Sequence, residues 1–473
     1  MKKLLYAMLA FLGSCMPAAA QQCTYYASPD GHGNGLSERS PFQIRNFWAV
    51  AEPGSTLCLL DGTYRGDASM IDPSSSAHGL SGTRGAPITV RALNDGGVTI
   101  DGQFARIPVH LSSNDWWVLE GFNAKNGTHS VIYATNGADN NVIRRVVGWD
   151  TAADMNSAII GIHKSSNWLI EDVAAFGVGR KTLSASQGGN SVTCRRCWLR
   201  WEGSIYAGVL GTTTTYNNYH FRCENCLTTW SGESMPQTYI SVPNGEAMTG
   251  FESNVGTGIL TVDRNDGDKC ARVEVLGSIS YVNSTDRLPT GTAGGAFGPL
   301  SNVWTYGLSC VHLKHVAAVV SPQHPRFNFH RAFVLSRGTS GNENITCAPN
   351  CSDLSASNLT SIVGSAGNIV HDVWDVQRHV TGTSLSVVQG LGADAWTGSA
   401  GARVCNRWEN GVVTDAPLWP WPMNDRIKLA TATAGSYSGP CPTCVGGRAP
   451  RRSTDVTANL EELLGDIPAS CRH

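Results

Sequence analysis

The sequence is poor in charge. Asp, Glu, Lys and Arg supply 15% of its 473 residues, and acidic and basic groups nearly cancel to a net −2. Globular domains usually carry about 25% charged residues. A chain with no basic surplus cannot neutralise a row of phosphates, so nucleic acid is not the expected partner, a local basic cleft aside. Apolar runs long enough to span a bilayer are also missing, because Leu4 to Leu12 is too short. No long amphipathic helical pattern appears. With 52 glycines and abundant Thr, Ser, Asn and Val, many short strands joined by tight turns are expected instead.

What is present begins with Met1-Lys2-Lys3, that short apolar run, Pro17 and Ala18-Ala19-Ala20. This is the layout of a secretory signal peptide over residues 1–20, cut after Ala20. Leu12-Gly13-Ser14-Cys15 offers the alternative of a lipoprotein anchored at Cys15. Either cut removes Lys2 and Lys3 and takes the net charge to about −4. A secreted or periplasmic protein is expected. Of 15 cysteines, 14 then remain in an oxidising compartment, which favours disulfides. The spacings Cys194-x-x-Cys197, Cys223-x-x-Cys226 and Cys441-x-x-Cys444 admit zinc as the other reading.

A short pattern recurs: an apolar residue or Cys, two mostly polar residues, then another apolar residue or Cys. It appears as Leu119–Phe122, Ile143–Val146, Ile170–Val173, Cys194–Cys197 and Cys223–Cys226, at intervals of 24, 27, 24 and 29 residues. Further copies are read at Leu276 to Ile279 and Leu313 to Val316. Such intervals are one coil of a β-solenoid. Strand side chains alternate between faces, and a two-residue turn lets both flanking residues point inward. The two Cys pairs fall on interior rungs, where α-carbons of neighbouring coils lie within disulfide range.

Before the repeat stand Thr24-Tyr-Tyr-Ala-Ser-Pro-Asp-Gly31, a helix-compatible segment from Phe42 to Ala51, Asp61-Gly-Thr-Tyr-Arg-Gly66, Ser81-Gly-Thr-Arg-Gly-Ala-Pro-Ile88 and Val98-Thr-Ile-Asp-Gly102. Together with the repeat, these segments resemble the pectate-lyase-like β-helix superfamily of secreted carbohydrate-active proteins, over roughly residues 24 to 335. The resemblance implies an all-β, single-stranded right-handed parallel β-helix over residues 21–400. A helical cap is expected at its N-terminal end, and residues 401–473 are read as an irregular C-terminal cap and tail. That cap would include Leu418-Trp-Pro-Trp-Pro-Met423 and a short helix over Asp455 to Leu464.

The resemblance also implies that a groove over one parallel sheet binds an acidic polysaccharide, with a monomer as the expected state. Strands are read just before each repeat, at 109–111, 131–134, 160–164, 183–187 and 205–210. Aligning Ser112-Ser113-Asn114 with Ser165-Ser166-Asn167 puts His110, Tyr133 and His163 in one outward ladder suited to sugar contact. Trp201 and Trp230 each follow a repeat cysteine by four residues, so they should stack in adjacent coils as further sugar contacts or as core.

Cleaving a uronate polymer by β-elimination needs a base, a cation to neutralise the carboxylate, and an acid for the leaving oxygen. Candidates are Lys164, Lys181 or His163 as base, Arg180 as carboxylate partner and Tyr206 as acid. Asp263, Asp266 and Asp268 form the densest run of oxygen ligands and are candidates for calcium, or for a simple turn. Glu233, Glu246 and Glu252 are alternative carboxylates.

No catalytic pattern of the superfamily is complete here. The Asn-Thr-Asp and paired-Asp motifs of hydrolytic relatives are missing, as is the Asp-Pro-His-Asp signature of alginate epimerases. Arg426-Ile427-Lys428 resembles one hydrolase motif but stands without its companions. A lyase is the first reading; a non-catalytic polysaccharide-binding or surface protein and a glycoside hydrolase are the others.

Overall fold

The computed structural model describes residues 22–76, 79–186, 191–204, 220–230, 406–410 and 412–440, with short strands and one turn between residues 211 and 389. Residues 1–20 and Asp455 to Leu464 lie outside the described residues. Among those described, no helix is long and apolar enough to cross a membrane.

Three sheets wrap one interior. Sheet 1 starts at Tyr25–Ala27 and has ten strands, sheet 2 starts at Gly62–Tyr64 and has eleven, and sheet 3 starts at Val109–Ser112 and has six. Within each, every strand pairs in parallel with its counterpart one coil away. A coil therefore runs through sheets 3, 1 and 2 in turn, as in Val109–Ser112, Trp117–Glu120 and Asn123–Gly127. This is a parallel β-helix, with four full coils between residues 109 and 203.

The recurring motif marks the corner between sheets 1 and 2. Val90, Leu119, Ile143, Ile170, Cys194, Cys223 and Val275 are successive partners in one rung. Phe122, Val146, Val173, Cys197 and Cys226 follow two residues after each strand and are buried as well. The first turn residue is left-handed in six coils: Gly121, Arg145, Asp172, Arg196, Asn225 and Gly277 have φ of 81°, 53°, 52°, 51°, 50° and 57°. That region is costly for residues with a Cβ. Each turn offsets the cost with an axial hydrogen bond, as from Arg145 N to Glu171 O and from Arg196 N to Glu224 O. The corner is thus fixed by backbone geometry, and its outward residues are free to vary.

Those outward residues form an ordered series. Arg91, Glu120, Arg144, Glu171, Arg195 and Glu224 are successive partners along sheet 1, alternating in charge. Glu171 accepts from Arg144 at 3.0 Å and from Arg195 at 3.2 Å, and Arg195 reaches Glu224 at 2.8 Å. Opposite charges one strand apart stabilise the true register and penalise a slip.

One cysteine pair is bonded, and four described cysteines are not. Cys23 and Cys58 form a disulfide that ties the first strand of sheet 1 to the second. Cys194, Cys197, Cys223 and Cys226 occupy the expected interior rungs as buried thiols in the reduced form. There they pack as small hydrophobes.

At the N-terminal end, helix forms only over Ile44–Phe47, a single turn shorter than the Phe42 to Ala51 segment read from sequence, with Ile44 and Phe47 buried. The described part of the C-terminal segment runs along the flank of the coils. Its strand Asn406–Glu409 meets the turn ladder where Asn225 exchanges two 2.8 Å hydrogen bonds with the Trp408 backbone. Further on, helix Asn424–Ala434 carries Arg426, which donates to Phe122 O at 3.1 Å, to Asn123 Oδ1 at 2.8 Å and to Asp95 Oδ1 at 2.7 Å. Tyr437 donates to Thr151 O at 2.9 Å. The resemblance of Arg426-Ile427-Lys428 to a hydrolase motif therefore has a structural explanation: Arg426 latches the segment to the turns.

Burial pushes the Glu171 carboxyl up, but Arg196, Arg195 and Arg144 outweigh it and hold it below its ordinary value. A depressed carboxyl contributes stability above its unfolded pKa of about 4.3 and loses it as pH falls through the folded value. Glu171→Gln is therefore expected to cost about 1 kcal/mol near neutral pH, since its arginines are partly exposed. In urea titrations that gap should close as pH falls from about 6 to about 3; a gap that stays constant would remove the ladder from the stability.

Candidate functional site

Outward side chains of sheet 3 form two rows. Ile71 bridges to Val109, so Asp72 precedes His110 in the first row. His110 pairs with Tyr133, Tyr133 with Gly161, and Gly161 with Ser184. The second row, one pleat further on, contains Ser112, Thr135, His163 and Ser186.

The expected single ladder of His110, Tyr133 and His163 is thereby corrected. Gly161, not His163, lies opposite Tyr133, and the Ser112-Ser113-Asn114 alignment with Ser165-Ser166-Asn167 is out of register. The three rings still come together. His110 and Tyr133 stack with centroids 5.8 Å apart and planes 19° apart, and Tyr133 and His163 at 6.4 Å and 28°. Gly161 makes this possible: a Cβ there would sit 3.1 Å from Tyr133 Cδ2, so the phenol ring lies across the missing side chain. His129 approaches the same ring at 5.0 Å. Neither Asp72, His129 nor Gly161 was singled out by sequence reading.

Tyr133 is flanked on both sides by the imidazoles of His110 and His163. The cluster brings ring nitrogens and a phenol hydroxyl together on the outward face of sheet 3. This favours hydrogen bonding and proton transfer over the face-on sugar contact expected of His110 and Tyr133.

The surroundings set the protonation states. Asp72 lies 3.5 Å from His110 Nδ1 and accepts from Ser74, while Thr135 Oγ1 is 3.3 Å from His110 Nε2. Burial pushes the Asp72 carboxyl up, but hydrogen bonds from His110 and Ser74 prevail and leave it below its ordinary value. Burial, assisted by the charge of His110, lowers His129. Burial also lowers His163, reinforced by Lys164, His129 and Lys181. Tyr133 is raised by burial. Near neutral pH, His163 is therefore a proton acceptor and Tyr133 a proton donor.

Lys164 is exposed beside His163, left-handed at φ 50°, with its N–H bonded to Ser186 O at 2.8 Å. Position in the sequence suggests that Arg180 and Lys181, in a turn leading to the next strand, come near Lys164; the structure instead places Lys181 in the strand itself, beside Ala158. Lys181 pairs with Ala158 and Ser186 with His163, so the two ends of that strand lie roughly 17 Å apart. Arg180 is hydrogen-bonded to Asn156. Lys181 acts on His163 through its charge alone, alongside Lys164 and His129.

Trp201 is buried and donates its indole N–H to Gly179 O at 2.8 Å, so it is part of the packing and not a sugar contact. Its register partner is Trp230, as expected, described by backbone alone. Tyr206, Asp266, Asp268, Glu233, Glu246 and Glu252 lie outside the described residues, and Asp263 is described only as the end of strand Val262–Asp263. Among the described residues, no group of three or more His, Cys, Asp or Glu is arranged to hold a metal ion.

No protein-family model matches the chain, and no curated protein matches it. Solved structures similar to it include pectate lyase Pel9A, with 14% identity, TM-score 0.42 and coverage of 91% of this chain and 92% of that one. A rhamnogalacturonan lyase has 14% identity, TM-score 0.39 and coverage of 85% and 97%. Pectin methylesterase from carrot has 11% identity, TM-score 0.34 and coverage of 82% and 95%. The fold is a parallel β-helix. That statement stands on the register of the chain's own sheets, in which Ile143, Ile170 and Cys194 lie on one rung. In this β-helix, the polar face of sheet 3 around Tyr133 is the candidate site.

Two outcomes test the geometry. In an NMR titration the His163 imidazole should lose its proton below the ordinary value of about 6.5, and Lys164→Gln should move it upward; an unmoved midpoint would separate Lys164 from the site. Gly161→Val should displace the Tyr133 ring and abolish its ring-current contacts with His163, leaving secondary structure intact by circular dichroism.

Proposed function

We propose that the outer face of sheet 3 binds an acidic, uronate-containing polysaccharide outside the cytoplasm and cleaves it by β-elimination. One observation supports this above the rest: a histidine disposed to be neutral and a tyrosine disposed to be protonated lie ring against ring, with a lysine beside them. Ser186 Oγ is 3.1 Å from His163 Nδ1, and in the tautomer that donates Nδ1–H to this hydroxyl, Nε2 takes the proton.

In the proposed step His163 removes the proton on the carbon bearing the carboxylate. The electron pair of that C–H bond forms a ring double bond as the neighbouring C–O bond breaks. The departing oxygen takes the phenol proton of Tyr133. Lys164, with the more distant Lys181, lowers the cost of negative charge accumulating on the carboxylate. Asp72 and Thr135 hold His110 against the other face of Tyr133. No step here passes through calcium, whose candidate ligands remain a separate proposal.

Two readings fare less well. A binding or adhesion surface built on aromatic platforms needs open ring faces, and the Tyr133 ring is flanked on both sides by His110 and His163. Hydrolysis needs two carboxyl groups across the scissile bond, about 5 to 10 Å apart. Two carboxylates fall on the described rows of sheet 3: Asp72, which is paired with His110, and Asp263, in register with Tyr216 at the far end of the sheet; six strand spacings of about 4.8 Å separate them, far beyond that range.

The test is incubation with a panel of uronate polymers while ultraviolet absorbance of the unsaturated product is followed. Tyr133→Phe and His163→Ala should each lower kcat by about 10²- to 10⁴-fold. With wild-type protein, activity should rise with pH through a midpoint below about 6.5, as His163 loses its proton. Chain shortening without an unsaturated product would replace elimination with hydrolysis.

A further inference from the structure

Four buried sulfurs are left unused by this reading. Cys194 and Cys223 are register partners on adjacent strands of sheet 1, and Cys197 and Cys226 stand at equivalent corner positions in the same two coils. The four thiols are thus a ring of neighbours in the interior of two adjacent coils, with Cys197 donating to Ile170 O at 3.3 Å and Cys226 to Cys194 O at 3.5 Å. Such a ring can be paired in two ways, within each Cys-x-x-Cys corner or across the coils.

Geometry and entropy favour the second pairing. Register partners in neighbouring strands have α-carbons roughly 4.8 Å apart, inside the disulfide window of about 4.4–6.8 Å. A bond across the coils closes a long loop, whereas a corner bond closes a very short one, and the longer closure removes more freedom from the unfolded chain. The chain's existing disulfide follows the same rule, since Cys23–Cys58 also joins neighbouring coils of sheet 1.

We propose that this ring is a covalent modification site at which a disulfide-class oxidant installs two cross-coil bonds, Cys194–Cys223 and Cys197–Cys226. For each bond, a thiolate attacks the oxidant's disulfide, and the second thiolate displaces the mixed disulfide. The pair gives up two electrons and two protons, and the oxidant leaves as two thiols. Hydrogen bonding to Cys197 and Cys223, together with burial, holds the Cys194 thiol well above its ordinary range. Buried and protonated, it is a poor nucleophile, so oxidation belongs to the stage when the coils are still closing. The resulting staple fixes the two coils that follow the candidate site.

The test uses the full chain, produced in an oxidising compartment and, for comparison, in a reducing one. Each sample is unfolded in guanidinium with a maleimide and no reductant, then digested with trypsin and a glutamate-specific protease. Cleavage after Arg195, Arg196 and Glu224 puts the four cysteines on separate peptides, and Cys23–Cys58 serves as the internal control. The oxidised sample should show no label on the four cysteines and should yield linked Cys194–Cys223 and Cys197–Cys226 peptides. Maleimide on all four while Cys23–Cys58 is linked would overturn the proposal, as would corner-paired peptides. In Cys194→Ser, Cys223 should become fully labelled while Cys197–Cys226 stays linked; scrambled linkage there would also overturn it.

Discussion

Everything in this molecule depends on coils stacking one strand spacing apart, in register. A single coil exposes its inner face and leaves its backbone groups unpaired along the axis, so it has no stability alone. Once a neighbour is added, every position acquires a copy of itself about 4.8 Å above and below. The consequences differ only by side chain. Apolar residues at such positions make a continuous core, alternating charges make the Arg91-to-Glu224 ladder, cysteines make a ring of sulfurs, and His110 and Tyr133 make a stack of rings.

How much of this was readable in the sequence follows from the same constraint. The corner motif was legible because it needs two inward residues separated by a tight turn, and that leaves a mark in every coil. Its rungs fall where the spacing placed them, through Ile143, Ile170 and Cys194. Sheet 3 was less legible, since the connections entering it vary in length. Gly127 leads to Ile132 after four residues, but Thr151 leads to Ala158 after six. Aligning serines across that variable stretch shifted His163 by one pleat.

The residues missed have a common feature: each contributes through a neighbour. Gly161 matters for a side chain it lacks, and nothing in a sequence marks a glycine over which another coil's ring will lie. Asp72 enters through an isolated bridge from Ile71 to Val109, 38 positions along the chain, with no repeat to announce it. Conversely, Arg180 was conspicuous as a cation next to Lys181, yet strand length separates that pair from Lys164. Proximity in sequence misleads in a solenoid, because one strand is longer than the distance between coils.

The C-terminal segment shows why stacking alone does not complete the structure. The corner of sheets 1 and 2 leaves side-chain and carbonyl acceptors within reach of the C-terminal segment. The segment lands first on Asn225, then on Phe122, Asn123 and Arg145 in earlier coils, and then on Thr151 at the end of a sheet 2 strand. Arg426 is buried enough that its guanidinium is pushed below its ordinary range, despite the opposing pull of Asp95. A cation accepts that cost only where several acceptors converge, and here the backbone carbonyls of Phe122 and Arg145 join Asn123 and Asp95. Coils that touch only their nearest neighbours are thereby tied to one another over a longer range.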